Sequence, residues 1–484
     1  MSRGIVNAED TCLIYRHDAA IPTPHPLPPW APPHHLEDPA LTSADHTVLP
    51  PPFHNIKPER APEPPSTAAT NTANTYDEEI HKFPEGGARA WSVTAGSFCA
   101  LFAVFGVINT TAVFQEYFSS HQLRGYRPGQ IGWIFSLSLF LTFFCGNPIG
   151  PFFDAKGPRG LVLAGSGLLF LSMMLLGECT KYWHFVLVYS ILNGLGGCLL
   201  NVPAIASIGH FFLAKRGNAT GIAMTSGSLG GIVFPLILQK LIPAVGFKWA
   251  TRILGFILVA LLLVANLLIR SRLPRKKYEA ASVLPAFAVF KDPIFSLITL
   301  GIFLLEWGIF VPITYITSYA VFHGASSAFG FQILALLNTR SIIGRALAGW
   351  LADMFGRLNM LILTVALCVV ANLALWLPAG DSKPLLIVFA LLFGFASGSN
   401  LSLAPVCVGQ LCKTENYGRY YSTCWMVCSF GTLTGVPIAG QLLSANNGEY
   451  HGLIVFAGLS YALALVCFIA SRILAVGWNL NVVY

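Results

Sequence analysis

Twelve apolar stretches, each of about 20–25 residues, decide what this chain can become. They fall at residues 91–113, 130–150, 160–178, 184–208, 218–242, 249–270, 294–320, 328–351, 358–378, 384–407, 419–443 and 452–475. Each can cross a hydrocarbon core of roughly 30 Å as a helix. A span in lipid must satisfy its own backbone hydrogen bonds, so the predicted form is helical throughout. Internal prolines such as Pro203, Pro235, Pro312, Pro405 and Pro437 do not argue against this, because neighbouring helices can satisfy the freed carbonyls. Charge agrees with the reading. Only 11% of the residues are Asp, Glu, Lys or Arg, against roughly 25% in a soluble domain. Residues 1–89 alone hold 12 acidic and 6 basic side chains of the total of 51, leaving 33 for the 395 that follow. No water-soluble surface can be built from so few. The predicted class is an all-α membrane protein of twelve transmembrane helices.

The rest of the composition narrows the function classes. Most of the eleven cysteines lie inside apolar runs, where a thiol packs as a small hydrophobe, so neither a disulfide scaffold nor a metal site is predicted. The net charge of +7 does not indicate nucleic-acid binding. Its densest cluster, Arg270, Arg272, Arg275, Lys276 and Lys277, directly follows an apolar span, where juxtamembrane charge belongs. Residues 1–83 hold fifteen of the 31 prolines and seven of the twelve histidines, a composition expected to stay disordered. No apolar leader precedes it, so the first span is expected to act as a signal anchor.

Lys and Arg near the span ends set the expected orientation. Sixteen lie on the side shared with the N-terminus and six on the other, which predicts that both termini are cytoplasmic. The longest connection, near 271–293, divides the spans into two sets of six. The predicted organisation is a Pro-rich cytoplasmic tail (1–88), a six-helix bundle (89–270), a basic linker (271–293), a second bundle (294–476) and a short C-terminus (477–484).

The two sets are related. Gly150-x3-Asp154-x2-Gly157-x-Arg159 follows the second span, and Gly349-x3-Asp353-x2-Gly356-Arg357 follows the eighth, 199 residues later. Pro203 and Pro405, Pro235 and Pro437, and Gln239 and Gln441 repeat at an offset of 202. Four coincidences in nearly one register predict a duplicated six-helix unit and hence two pseudo-symmetric bundles.

Twelve spans, a central basic loop and the duplicated Gly-Asp-Gly-Arg motif together resemble the major facilitator superfamily over residues 84–476. A narrower resemblance is to its monocarboxylate-transporter family. Glu85-Gly86-Gly87-x3-Trp91 is similar to one signature of that family, and Phe211-Phe212-x2-Lys215-Arg216, continuing to Gly221, to another. The run GVINTTAVFQEYF looks most like the fungal branch, whose members include carriers of carboxylates or riboflavin and metabolite efflux proteins. The resemblance implies transport of a small molecule by alternating access, with Asp154–Arg159 and Asp353–Arg357 pairs holding the cytoplasmic side closed. The plainer reading of those pairs is that they stabilise tight loops.

Charges inside the spans are costly and therefore informative. Glu306, Arg340 and Arg345 lie within spans seven and eight, and Arg252 near the end of span six. Arg345 resembles the family's substrate-anion arginine, while a Glu306–Arg340 ion pair is the structural alternative. Two departures matter: Asn109 stands where proton-coupled relatives place a lysine, and Ser341 where they place an aspartate. They disfavour simple monocarboxylate–proton symport and suggest a larger, less acidic ligand. The candidate substrate site is thus Arg345 with Asn109, Glu306 and Arg340. No catalytic constellation, phosphate-cradling loop or cofactor motif is present in the sequence. The predicted function is a secondary transporter in the plasma membrane, with protons as the candidate coupling ion, exporting an acidic or amphipathic metabolite. The alternatives are an uptake carrier for a monocarboxylate or riboflavin-like nutrient, and a non-transporting sensor.

Overall fold

The structure, a computed structural model, describes residues 83–274 and 287–477. The tail up to residue 82, most of the predicted linker and residues 478–484 lie outside the described residues. Ten helical runs are long and apolar enough to cross a membrane. They are Gly87–Ser120 (α1), Gly129–Lys156 (α2), Arg159–Leu176 (α3), Tyr182–Gly209 (α4), Arg216–Leu268, Pro293–Phe322 (α7), Arg357–Trp376 (α9), Lys383–Gln410 (α10), Thr414–Ala445 (α11) and His451–Val476 (α12). The run Arg216–Leu268 turns back at Gly246, where φ is 78°, and is therefore two helices, α5 before the turn and α6 after it. Ser327–Phe355 (α8) is 29 residues long and carries Arg340, Arg345 and Asp353, which lower its apolarity without shortening it. These make up the predicted twelve, and the described residues form no strand.

Burial is highest in four helices and grades down through α12 at 50% and α9 at 44%. In α1, α4, α7 and α10, 56%, 61%, 67% and 61% of the most apolar window is buried, against 39% in α2 and α3 and 33% in α11. Every third helix is thus central, and the others turn apolar side chains outward to lipid. Leu459, Leu463 and Val466 on α12 and Phe256, Leu263 and Leu267 on α6 are examples, exposed at helical spacing. Exposed Tyr126, Trp133, Trp183 and Trp249 ring one end of the bundle, and Trp91 and Trp350 stand near the other, as aromatic side chains do at a membrane interface. At the first end Glu178 receives Lys248 at 2.6 Å and Arg252 at 2.9 Å. The bound Lys248 ammonium holds the Glu178 carboxyl below its ordinary range.

Local irregularities depart from ideal spans. α1 bends at Thr110, α2 breaks at Cys145, and α4 and α9 contain wide π turns at Val186–Asn193 and Ala371–Trp376. Periodicity does not reveal these. Helix α1 starts at Gly87, and the preceding residues are held against the loop between α4 and α5.

Candidate functional site

The duplicated motif forms two equivalent joints. Helices α2 and α8 end at Gly157 and Gly356, which adopt φ of 80° and 97°, a conformation glycine takes without strain. Asp154 and Asp353 occupy the last turns of these helices. Asp154 accepts hydrogen bonds from the backbone N–H of Gly418 at 3.0 Å and of Arg419 at 2.8 Å. Asp353 accepts from Gly217 at 2.9 Å and Asn218 at 2.7 Å. Each carboxylate therefore caps a helix of the other set of six, α11 or α5, where unpaired N–H groups and the positive end of the helix dipole converge.

This corrects the expected pairing of Asp154 with Arg159. Arg159 is exposed, and Asp154 is directed at two preorganised donors on the first turn of α11. Arg357 does approach its aspartate, at 3.5 Å from Asp353. It also donates to the Leu213 carbonyl, again across the halves.

Close backbone approach accompanies each cap. A Cβ on Gly217 would fall 2.6 Å from Asp353 Oδ1 and from the Gly349 carbonyl oxygen. One on Gly418 would fall 2.6 Å from Asp154 Oδ1 and 2.8 Å from the Gly150 carbonyl. The motif glycines Gly150 and Gly349 face those same backbones in return. The first glycine of the motif thus lets the helices touch, and the aspartate one turn on locks them.

Further bonds between the halves continue toward the middle. Arg216 donates to the Gly409 carbonyl at 2.7 Å and lies over the Tyr417 ring. Asn201 donates to Tyr421 at 3.1 Å, and Ser228 to Ser341 at 3.1 Å. Among the described residues, the hydrogen bonds that join the halves run from the Gly157–Gly356 end to this depth and no farther. The molecule is sealed at that end. His210, in the same seal, pairs with Ser271 at 3.0 Å. Burial and the guanidinium groups of Arg216 and Arg272 push its pKa down to about 3, so it is neutral there.

Arg345 lies at the inner part of the seal, one turn nearer the Gly356 end than Ser341. It is buried, and its Nη1 donates to the Met224 carbonyl of α5 at 2.7 Å. Its Nε is buried without a partner. Glu306 on α7 is also buried, and no ion pair within 4.0 Å joins it to Arg345 among the described residues. Asn109 approaches from α1, donating to Phe105 at 2.7 Å and to the Gly227 carbonyl at 3.4 Å. Gly227 is also the residue whose Cβ would meet Arg345 Nη1, at 2.7 Å. One turn of α5 therefore receives both Asn109 and Arg345. Arg340 is exposed and stands apart from this group, so the alternative Glu306–Arg340 ion pair is absent.

The two departures acquire geometry here. Ser341 forms a hydroxyl link to α5, and the Asn109 amide reaches the Gly227 carbonyl on the same helix. Sequence reasoning missed Met224, Gly227, Ser228, Asn201 and Tyr421. The run Gly227-Ser228-Leu229-Gly230-Gly231 held a signal for small residues at close approach, but not for what they approach.

The two family signatures also meet. Glu85 accepts from the N–H groups of Leu213 and Ala214, both at 2.6 Å, and of Lys215 at 3.0 Å. The Trp91 ring lies 5.2 Å from that of Phe212. Gly86 and Gly87, with φ of 156° and 80°, carry the chain into α1. Farther along α5, Gly221 lies against the Arg345 carbonyl.

A sequence-family model described as the Major Facilitator Superfamily matches residues 93–431 and 341–477. The Riboflavin transporter MCH5 of Saccharomyces cerevisiae is 36% identical over 439 residues, covering 84% of each chain. The Fujikurins efflux protein of Gibberella fujikuroi is 34% identical over 410 residues, covering 84% of this chain and 86% of its own. Among solved structures, the E. coli fucose:proton symporter FucP superposes with a TM-score of 0.60 at 19% identity, over 78% of this chain and 98% of its own.

Proposed function

Because the chain belongs to the major facilitator superfamily, and is a multi-pass secondary transporter of a small organic molecule, we propose that it exports an acidic or amphipathic metabolite through the Arg345 site. Alternating access to a site between two half-units is the working cycle of such a carrier. The observation that carries the proposal is the buried Arg345 guanidinium, which has an unpartnered Nε and lies against the α5 backbone, on the turn that Asn109 also reaches. A buried cation at this depth needs an anionic partner or hydration. A substrate carboxylate or enolate meets that need. The neutral Asn109 and Ser341 in its surroundings fit a ligand with a single acidic group. We place the chain in the monocarboxylate-porter branch on its two signatures, with Glu306 as carrier of a coupled proton and Arg340 outside the site. The likeness to the fujikurins efflux protein supports export.

A second reading is uptake of a riboflavin-like nutrient, favoured by the likeness to MCH5 at similar identity. Untargeted comparison of metabolites inside and outside cells that carry or lack the gene separates the two. Export requires an acidic compound to accumulate inside the deletion strain. Unchanged secretion together with a lost nutrient uptake would establish the second reading.

We further propose a plasma-membrane location with the sealed end facing the cytoplasm, on the charge asymmetry of the loops. Single cysteines in a cysteine-free background report this directly. An impermeant reagent added to intact cells is expected to label position 124 and spare position 215; the reverse pattern overturns the orientation.

A further inference from the structure

The structure assigns Glu85 a positioning role in transport: its carboxylate holds the α4–α5 loop in the shape that the Asp353 joint requires, and so biases the carrier toward the state sealed at that end. The segment Phe211–Asn218 is the hub. On one flank Glu85 accepts three successive backbone N–H groups, from Leu213, Ala214 and Lys215. On the other flank Asp353 accepts the N–H groups of Gly217 and Asn218, and Arg357 donates to the Leu213 carbonyl. Leu213 is thus gripped from both sides, by Glu85 through its N–H and by the second half of the molecule through its carbonyl. The Glu85 N–H in turn donates to the Phe211 carbonyl at 3.2 Å.

Three further observations separate this from routine capping of a helix. Glu85 adopts φ of 50°, a left-handed conformation that a glutamate rarely takes, and it serves the loop while leaving its own helix without a side-chain cap. The acid at the start of α7 behaves differently: Asp292 accepts from Ile294 and caps its own helix. The pseudo-symmetric fold therefore uses the loop-gripping carboxylate on one side, among the described residues. Finally, the grip is braced by aromatic contacts, Trp91 on Phe212 at 5.2 Å and the Arg272 guanidinium over the Phe83 ring at 5.5 Å. Arg272 also donates to the His210 carbonyl at 3.3 Å, so the end of α6 closes the same cluster.

Opening the sealed end must pull Asp353 and Arg357 away from this segment. If Glu85 holds the loop in register, loss of its charge weakens the seal without touching Arg345. The inference rests on alternating access, but its readouts need no substrate. Spin labels at exposed positions 159 and 413 in the full chain, reconstituted in lipid, report the width of the sealed end. Glu85→Gln is expected to raise the wide population about tenfold, the scale of one charge-assisted contact. Glu85→Asp is expected to give a smaller shift, since the charge is retained at shorter reach. Combined with Asp353→Asn, Glu85→Gln should multiply the ratio by less than the product of the single effects, because both act through one segment. An unchanged distance distribution in Glu85→Gln, or effects that multiply independently, overturns the role. Hydrogen exchange in the wild-type protein decides even where the variant does not assemble. The amides of residues 213–215 are expected to exchange in step with those of 217 and 218, and independent exchange contradicts the proposal.

Discussion

Arg345→Ala is expected to abolish transport while the protein still reaches the membrane. The guanidinium is buried and bonded to the Met224 carbonyl. Truncating one partner of a buried charge contact costs about 2–5 kcal/mol, which is roughly a thirtyfold to several-thousandfold loss. Here that loss falls on substrate affinity and turnover together. Arg345→Lys is expected to keep part of the activity, because lysine retains the charge but not the planar fork that donates to α5 and to a bound anion together. Glu306→Gln is expected to flatten the pH profile of transport with little effect on surface expression. Arg340→Ala, at an exposed position, should change flux by less than threefold. Flux in vesicles, normalised to protein in the membrane, measures all four. Normal affinity and flux in Arg345→Ala would remove Arg345 from the site.

Replacing the gate aspartates has a different signature. Asp154→Asn and Asp353→Asn each keep the side-chain volume but turn a charged acceptor of two helix-start N–H bonds into a neutral one. Hydrogen bonds to charged groups contribute about 1.5–3 kcal/mol, so weakening one cap by about 1.4 kcal/mol shifts the sealed-to-open ratio tenfold. The pseudo-symmetry predicts similar shifts from the two variants. It also predicts that Gly150→Val and Gly349→Val exceed both, since a side chain there meets the opposing backbone. Substrate affinity measured on the fully opened carrier should stay within about threefold in all of them. A variant that loses affinity as steeply as turnover, with the open–sealed balance unchanged, would return these residues to a structural role.

Much of this architecture was legible because lipid leaves the backbone few choices. Span lengths, the 199-residue repeat of the Gly-Asp-Gly-Arg motif and the positions of Asp154 and Asp353 all follow from sequence patterns. What those aspartates touch does not. Arg159 is near in sequence and opposite in charge, so it looked like the partner of Asp154. The observed donors are the N–H groups of Gly418 and Arg419, more than 260 residues away. Backbone donors leave no mark on composition, and a cap across two helices has no periodicity. The same limit hid Met224 and Gly227, which contribute a carbonyl and a bare backbone to the Arg345 surroundings. Arg340 and Arg345 were alike in sequence as intramembrane arginines. Five residues of helix turn them by about 140°, at about 100° per residue, and only Arg345 is buried against α5. The meeting of the two signatures, Glu85 on Leu213–Lys215 and Trp91 on Phe212, joins segments about 130 residues apart and was legible only as two separate matches.

Alternating access requires that the two ends of the molecule open in turn. Paired distance measurements in lipid test this without knowledge of the substrate, using spin labels at 159 and 413 for the sealed end and at 124 and 449 for the other. In the wild-type carrier each pair is expected to show a narrow and a wide population. Asp154→Asn with Asp353→Asn should enlarge the wide fraction at 159–413 and, in the same proportion, the narrow fraction at 124–449. Widening at the sealed end that leaves the 124–449 distances unchanged, or a single fixed distance at both ends, would contradict it.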